Sequence, residues 1–127
     1  MARVLVADDS VFVRTQIVKL VQALGHETAE AADGAEAVSL FERWRPDLVL
    51  LDITMPEMDG LEALRRILGI DPEAAVVMVS ALTANRVVMD ALFIGARDFL
   101  SKPIDPDKLA RIIESRGRPI DLPRLHE

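Results

Sequence analysis

Cysteine is absent from the 127 residues. That excludes disulfides, thiol nucleophiles and thiolate-bound zinc or iron–sulfur sites together. Histidine is scarce, with only His26 and His126, which speaks against a histidine-rich metal centre or a histidine-dependent relay. Positive charge is in deficit: 15 basic residues face 21 acidic ones, for a formal net charge of −6. Such a surface repels phosphate backbones, so direct nucleic-acid binding is not expected. No apolar run approaches the ~18 residues that a membrane helix requires. The first run, Val4 to Ala7, meets a pair of aspartates too soon for a secretory signal. A soluble, cytoplasmic protein with no membrane partner is expected. Any metal chemistry must lean on carboxylates, which selects a hard cation such as Mg²⁺ or Ca²⁺.

What remains is a globular mixture, 50% hydrophobic and 28% charged, of a length that suits one domain at roughly 150 residues per domain. Short β-branched runs alternate with stretches of helical period. Strands are expected at 3–7, 27–31, 47–51, 75–80 and 97–100, and helices at 12–24, 35–44, 61–68, 85–94 and 106–114. The runs VLVA, LVLL and VVMV are continuously apolar, as strands buried on both faces should be. Gly25, Asp33-Gly34, Pro46 and Asp71-Pro72 punctuate the boundaries. Five β–α repeats predict a doubly wound parallel sheet with helices on both faces. From Arg116 the chain carries Gly117, Pro119 and Pro123 without apolar period, and reads as a terminal extension or linker stub.

Polar residues stand at the ends of the expected strands. The first is followed by Asp8-Asp9 and the third by Asp52; the fourth ends in Ser80, and the fifth leads to Ser101-Lys102-Pro103. In an open α/β sheet the ligand site lies beyond the carboxyl ends of the strands. With neighbouring strands ~4.8 Å apart, four strands deliver three carboxylates, a hydroxyl and an ammonium to one edge. Each residue also has a local reading. Asp9 or Ser10 suits an N-cap, Asp52 an Asx-turn, Ser80 a strand-end hydrogen bond and Lys102 a solvated surface. Their convergence favours a shared chemistry. Clustered carboxylates need a cation to offset their repulsion, and Mg²⁺ takes one or two carboxylates together with phosphoryl oxygens. A carboxylate can then attack phosphorus, with Mg²⁺, a lysine and a hydroxyl donor stabilising the charge on the transferred group. The set suits neither acyl transfer nor redox work.

The motifs VLVADDS at 4–10, AADGAEAV at 31–38, PDLVLLDITMPEMDG at 46–60, VVMVSA at 76–81 and GARDFLSKP at 95–103 resemble those of the receiver domain of bacterial response regulators. The resemblance spans essentially residues 3–115. It implies a flavodoxin-like sheet of strand order 2-1-3-4-5. It assigns residues 1–116 to the receiver domain and 117–127 to a tail or linker stub. By the same resemblance Asp52 is the phosphorylated residue, and Asp8, Asp9, Asp52 and the Thr54 carbonyl hold Mg²⁺, with Asp9 the direct ligand of the acidic pair. Ser80 and Lys102 contact the phosphoryl group, and the Lys102–Pro103 peptide is expected to be cis. Ser80 and Phe99 form a switch in which Phe99 turns inward when Ser80 moves toward the phosphoryl group. Phe99 lacks the hydroxyl that a tyrosine would offer there. Thr54 and Leu82 flank the path of attacking water, and an apolar Leu82 implies slow self-hydrolysis.

On a helical wheel the fourth helix carries more apolar residues than one buried stripe needs. Phe93 falls among the polar residues Asn85, Arg86 and Asp90, and Met89 lies at the border. An exposed Phe93 and Met89 beside Phe99 would make a partner face; a rotated helix would bury Phe93 instead. His26 reads as a solvated residue, and Trp44 as packing at a helix end. The implied partners are a sensor histidine kinase or a phosphotransfer protein, and a downstream output protein. A phosphorelay intermediate and a receiver excised from a larger transcription factor or enzyme are the alternatives. A haloacid-dehalogenase-like phosphatase is excluded, because Thr54 stands where its acid aspartate would be and the length leaves no room for a cap domain.

Overall fold

The structure is a computed structural model that describes residues 1–81 and 85–118, Asn85 by its backbone alone. Ten elements alternate along the chain: β1 (Arg3–Ala7), α1 (Val11–Ala23), β2 (Glu27–Ala31), α2 (Gly34–Trp44), β3 (Leu48–Asp52), α3 (Gly60–Ile70), β4 (Val76–Ser80), α4 (Asn85–Ile94), β5 (Asp98–Ser101) and α5 (Pro106–Ser115). All pairings are parallel, in the order β2-β1-β3-β4-β5.

The continuous apolar runs are explained by a core on each face of the sheet. Along β1, Val4 and Val6 turn toward α1 and α5, where they join Ile17, Val21, Leu109 and Ile112. Leu5 and Ala7 turn the other way, into the core that Phe41, Leu64, Ile67 and Ala91 build from α2, α3 and α4. A period-two strand buried on both sides leaves no polar position, and these strand residues are sealed from solvent. The edge strand β2 instead keeps Glu27 and Glu30 exposed, charges that discourage pairing with another chain.

Helix starts follow from side-chain caps. Ser10, Asp33, Asp59 and Asp105 each accept a hydrogen bond from an amide in the first turn of the helix they precede. Three boundaries differ from the expected ones in a way that matters. β3 runs one residue further, because Asp52 stays in register with Val79 of β4. β5 likewise includes Ser101, paired with Ser80. α3 continues to Ile70, with Gly69 inside it, and ends where the Asp71 amide donates to the Ile67 carbonyl. His26 is not simply solvated: it is half-buried and its Nδ1 accepts from the Ala2 amide at 2.9 Å. Trp44 packs at the end of α2, with the Arg3 guanidinium 4.6 Å from its ring centroid. No helix among the described residues is long and apolar enough to cross a membrane.

Candidate functional site

Register sets the level of every polar group at the sheet's C-terminal edge. Ala7 of β1 pairs with Leu51 of β3, so the next residues, Asp8 and Asp52, emerge side by side. The ladder runs on beyond the strands through Asp8 N to Ala31 O at 3.0 Å, Ile53 N to Val79 O at 3.1 Å and Lys102 N to Ser80 O at 2.8 Å. Asp8, Asp52 and Ser80 are buried, whereas Asp9 is exposed. Carboxylate oxygens of Asp8, Asp9 and Asp52 lie within 4.8 Å of one another. The Lys102 ammonium enters the cluster 2.8 Å from Asp8 Oδ2 and 3.5 Å from Asp52 Oδ1.

Three carboxylates against one ammonium leave the site short of positive charge. Burial pushes the Asp52 carboxyl up from 3.8 to about 6, helped by the Asp8 charge and less by Asp9, against the downward pull of Lys102. Lys102 is disfavoured by burial, yet its hydrogen bond to Asp8 and the two carboxylate charges outweigh that and hold the ammonium above its ordinary value. Asp8 is fixed at both oxygens. Its Oδ1 accepts the Ser10 amide at 2.9 Å; its Oδ2 is sealed from water and, beyond Lys102 at 2.8 Å, has no partner among the described residues. A buried oxygen with spare acceptor capacity, beside two more carboxylates, fits a hard divalent cation. Asp8, Asp9 and Asp52 are the side chains that would hold it.

Of the residues singled out in the sequence, the structure thus brings Asp8, Asp9, Asp52 and Lys102 together. Ser80 is buried at the end of the neighbouring β4. Thr54 lies in the exposed turn after β3. The Lys102–Pro103 peptide is cis. Phe99 is half-buried on β5, with the Lys108 ammonium of α5 over its ring at 5.1 Å. Phe93 is 94% exposed and Met89 62% exposed, while Val88 and Ala91 are the buried side of α4, so the rotated-helix alternative does not hold. Leu82 lies outside the described residues. Sequence reasoning missed Arg14, whose guanidinium Nη1 donates to the Asp8 carbonyl at 2.6 Å and whose Nε donates to Glu30 at 3.0 Å. The available signal was only an arginine in the first turn of α1, six residues beyond Asp8, among other polar residues of that helix.

The family profile described as the response regulator receiver domain matches residues 4–114. The chain is 44% identical over 119 residues to the chemotaxis protein CheY of Listeria monocytogenes, covering 93% of this chain and all of that one. It is also 43% identical over 106 residues to a protein-glutamate methylesterase/protein-glutamine glutaminase of Rhodospirillum rubrum, a match that takes in 81% of this chain but 28% of the relative. Among solved structures, CheY in the CheX–CheY–BeF3–Mg²⁺ complex from Borrelia burgdorferi superposes with a TM-score of 0.84 at 40% identity, covering 89% of this chain and 87% of that one.

Proposed function

The chain belongs to the response regulator receiver domain family, a CheY-like domain of two-component signalling, and on that footing we propose that Asp52 accepts a phosphoryl group with Mg²⁺ held by its neighbours. The carrying observation is the meeting of Asp8, Asp9, Asp52 and the Lys102 ammonium at one sheet edge. Mg²⁺ would offset negative charge on the carboxylates and on the phosphoryl oxygens. Asp52 Oδ attacks phosphorus as the bond to the donor's imidazole nitrogen breaks and its electron pair leaves with the imidazole. Lys102 is already pulled to the acidic cluster, so the transferred oxygens meet a fixed positive charge without reorganisation. The Thr54 carbonyl would join the residues that hold Mg²⁺, and the Ser80 hydroxyl would contact the new phosphoryl group.

The donor is a sensor histidine kinase or a phosphotransfer protein. An apolar groove lined by Val13, Ile17, Leu20, Pro103 and Ile104 leads up to Lys102 and offers such a protein a seat beside the acceptor. Output passes to a protein partner. Ser80 and Phe99 couple the acceptor to the face formed by α4, β5 and α5, where Phe93 and Met89 already stand in solvent.

The test is intact-mass spectrometry after incubation with acetyl phosphate or phosphoramidate. One phosphoryl adduct is expected in Mg²⁺, none after chelation and none for Asp52→Asn. An adduct that persists without Mg²⁺ or in the variant would overturn the assignment.

A further inference from the structure

Asp9 is exposed at the mouth of the site, and no described hydrogen bond of its own side chain holds it. With no such bond, the direction of Asp9 depends on its rotamer and its backbone, and the peptide plane that joins it to Asp8 is part of that backbone. That plane carries the Asp8 carbonyl and the Asp9 amide together, so turning one turns the other. The Asp8 carbonyl is taken by Arg14 Nη1 at 2.6 Å. Arg14 is in turn oriented by Glu30 of β2, through Nε to Oε1 at 3.0 Å, and its side chain is only 14% exposed. A planar guanidinium that donates through Nη1 and Nε holds both partners in one fixed plane. The pair thus bridges α1, the β1 terminus and β2, and it touches none of the carboxylate oxygens of the site.

We propose that Arg14, oriented by Glu30, is a positioning residue that sets the Asp8–Asp9 peptide plane and thereby preorganises Asp9 for the cation. This rests on the reading that Asp9 ligates Mg²⁺. Its sign separates it from a plain charge effect. Arg14 is a cation near a dication site, so if charge alone mattered its removal would tighten Mg²⁺ binding. Loss of positioning weakens it instead, by the ten- to hundredfold typical when a group supporting a metal ligand is removed.

The experiment is Mg²⁺ titration by calorimetry on the full chain, with wild type, Arg14→Met, Glu30→Ala and Glu30→Gln, each checked for folding by thermal melts. Arg14→Met is expected to raise the Mg²⁺ Kd about tenfold or more, and Glu30→Ala severalfold. Glu30→Gln keeps an oxygen for the Arg14 Nε–H and is expected to stay within about twofold of wild type. In acetyl phosphate reactions the Mg²⁺ concentration for half-maximal rate should rise with the Kd, while the rate at saturating Mg²⁺ stays near wild type. An unchanged or lowered Kd in folded Arg14→Met overturns the proposal. If Arg14→Met does not fold, the two Glu30 variants decide by the same criterion: a Kd that does not rise in Glu30→Ala overturns it. Failure of wild type itself to bind Mg²⁺ would instead overturn the reading beneath it.

Discussion

Gly60→Ala is expected to lower the unfolding free energy by about 1–3 kcal/mol, the usual range of overpacking. A Cβ at Gly60 would stand 2.2 Å from the Asp52 carbonyl oxygen and 2.7 Å from Ile53 Cα. Both are backbone atoms, so no rotamer change relieves the clash. The Gly60 amide also donates to the Ile53 carbonyl at 2.7 Å, closing the turn that carries Thr54. Pushing Gly60 outward breaks that turn and drags the end of β3 with it. The substitution should therefore slow phosphorylation as well as destabilise the fold. Gly69→Ala is the control. It lies in the same helix with nothing within 4 Å of its would-be Cβ, and should gain about 0.5–1 kcal/mol from helix propensity. Urea melts of the two variants read both signs, and equal effects would contradict the steric reasoning.

Asp52→Asn should stabilise the metal-free protein at pH 7.5 by up to roughly 3 kcal/mol, since its carboxyl is raised from 3.8 to about 6 and each pK unit is worth about 1.4 kcal/mol. The neutral amide stands in for the protonated acid that the site prefers. The direction in pH follows from linkage. A carboxyl raised on folding carries its full stabilising effect below the unfolded value and loses it as pH rises through the folded one. Wild type should thus lose stability between about pH 4 and 6 relative to the variant, and the two should converge at about pH 4. Adding Mg²⁺ should narrow the gap at pH 7.5, because the cation favours the ionised wild type. Urea melts across this range check it. A variant less stable than wild type at pH 7.5 would mean that the Lys102 ion pair outweighs the burial and repulsion at Asp52. The same residue that makes the site chemically competent is in this view a stability cost when no cation is present.

The strand ends were legible because a sheet with helices on both faces has a strong signature. VLVA, LVLL and VVMV leave no polar position, so the first polar residue after each run marks the sheet edge. The acidic cluster followed from that alone, before any likeness to known proteins. Exact strand limits did not follow. Asp52 and Ser101 look like loop residues by type, and only pairing with Val79 and Ser80 keeps them in the sheet. The wheel left Phe93 open between an exposed face and a rotated, buried one, because α4 is apolar on more than one side; the burial of Val88 and Ala91 decides for exposure. Contacts between elements were not readable. Arg14 meets Asp8 and Glu30 only because α1 lies across the β1–β2 edge. The chain separations of 6 and 16 residues carry no trace of that packing. Gly34 tells the same story: its Asp-Gly start suggested a helix cap, but a Cβ there would also stand 2.0 Å from the Met58 carbonyl oxygen. That approach presses the start of α2 against the turn after Asp52.

Asp52, and no other residue of the cluster, is the proposed carrier of the phosphoryl group. The most direct measurement is reductive trapping of the phosphorylated chain with borohydride, which converts an acyl phosphate to the alcohol, followed by peptide mass mapping. The expected result is homoserine in place of Asp52 in the peptide that spans it, with Asp8, Asp9 and Ser80 unchanged. Reduction at Asp8 or Asp9, or a phosphate that survives borohydride on a serine, would contradict it.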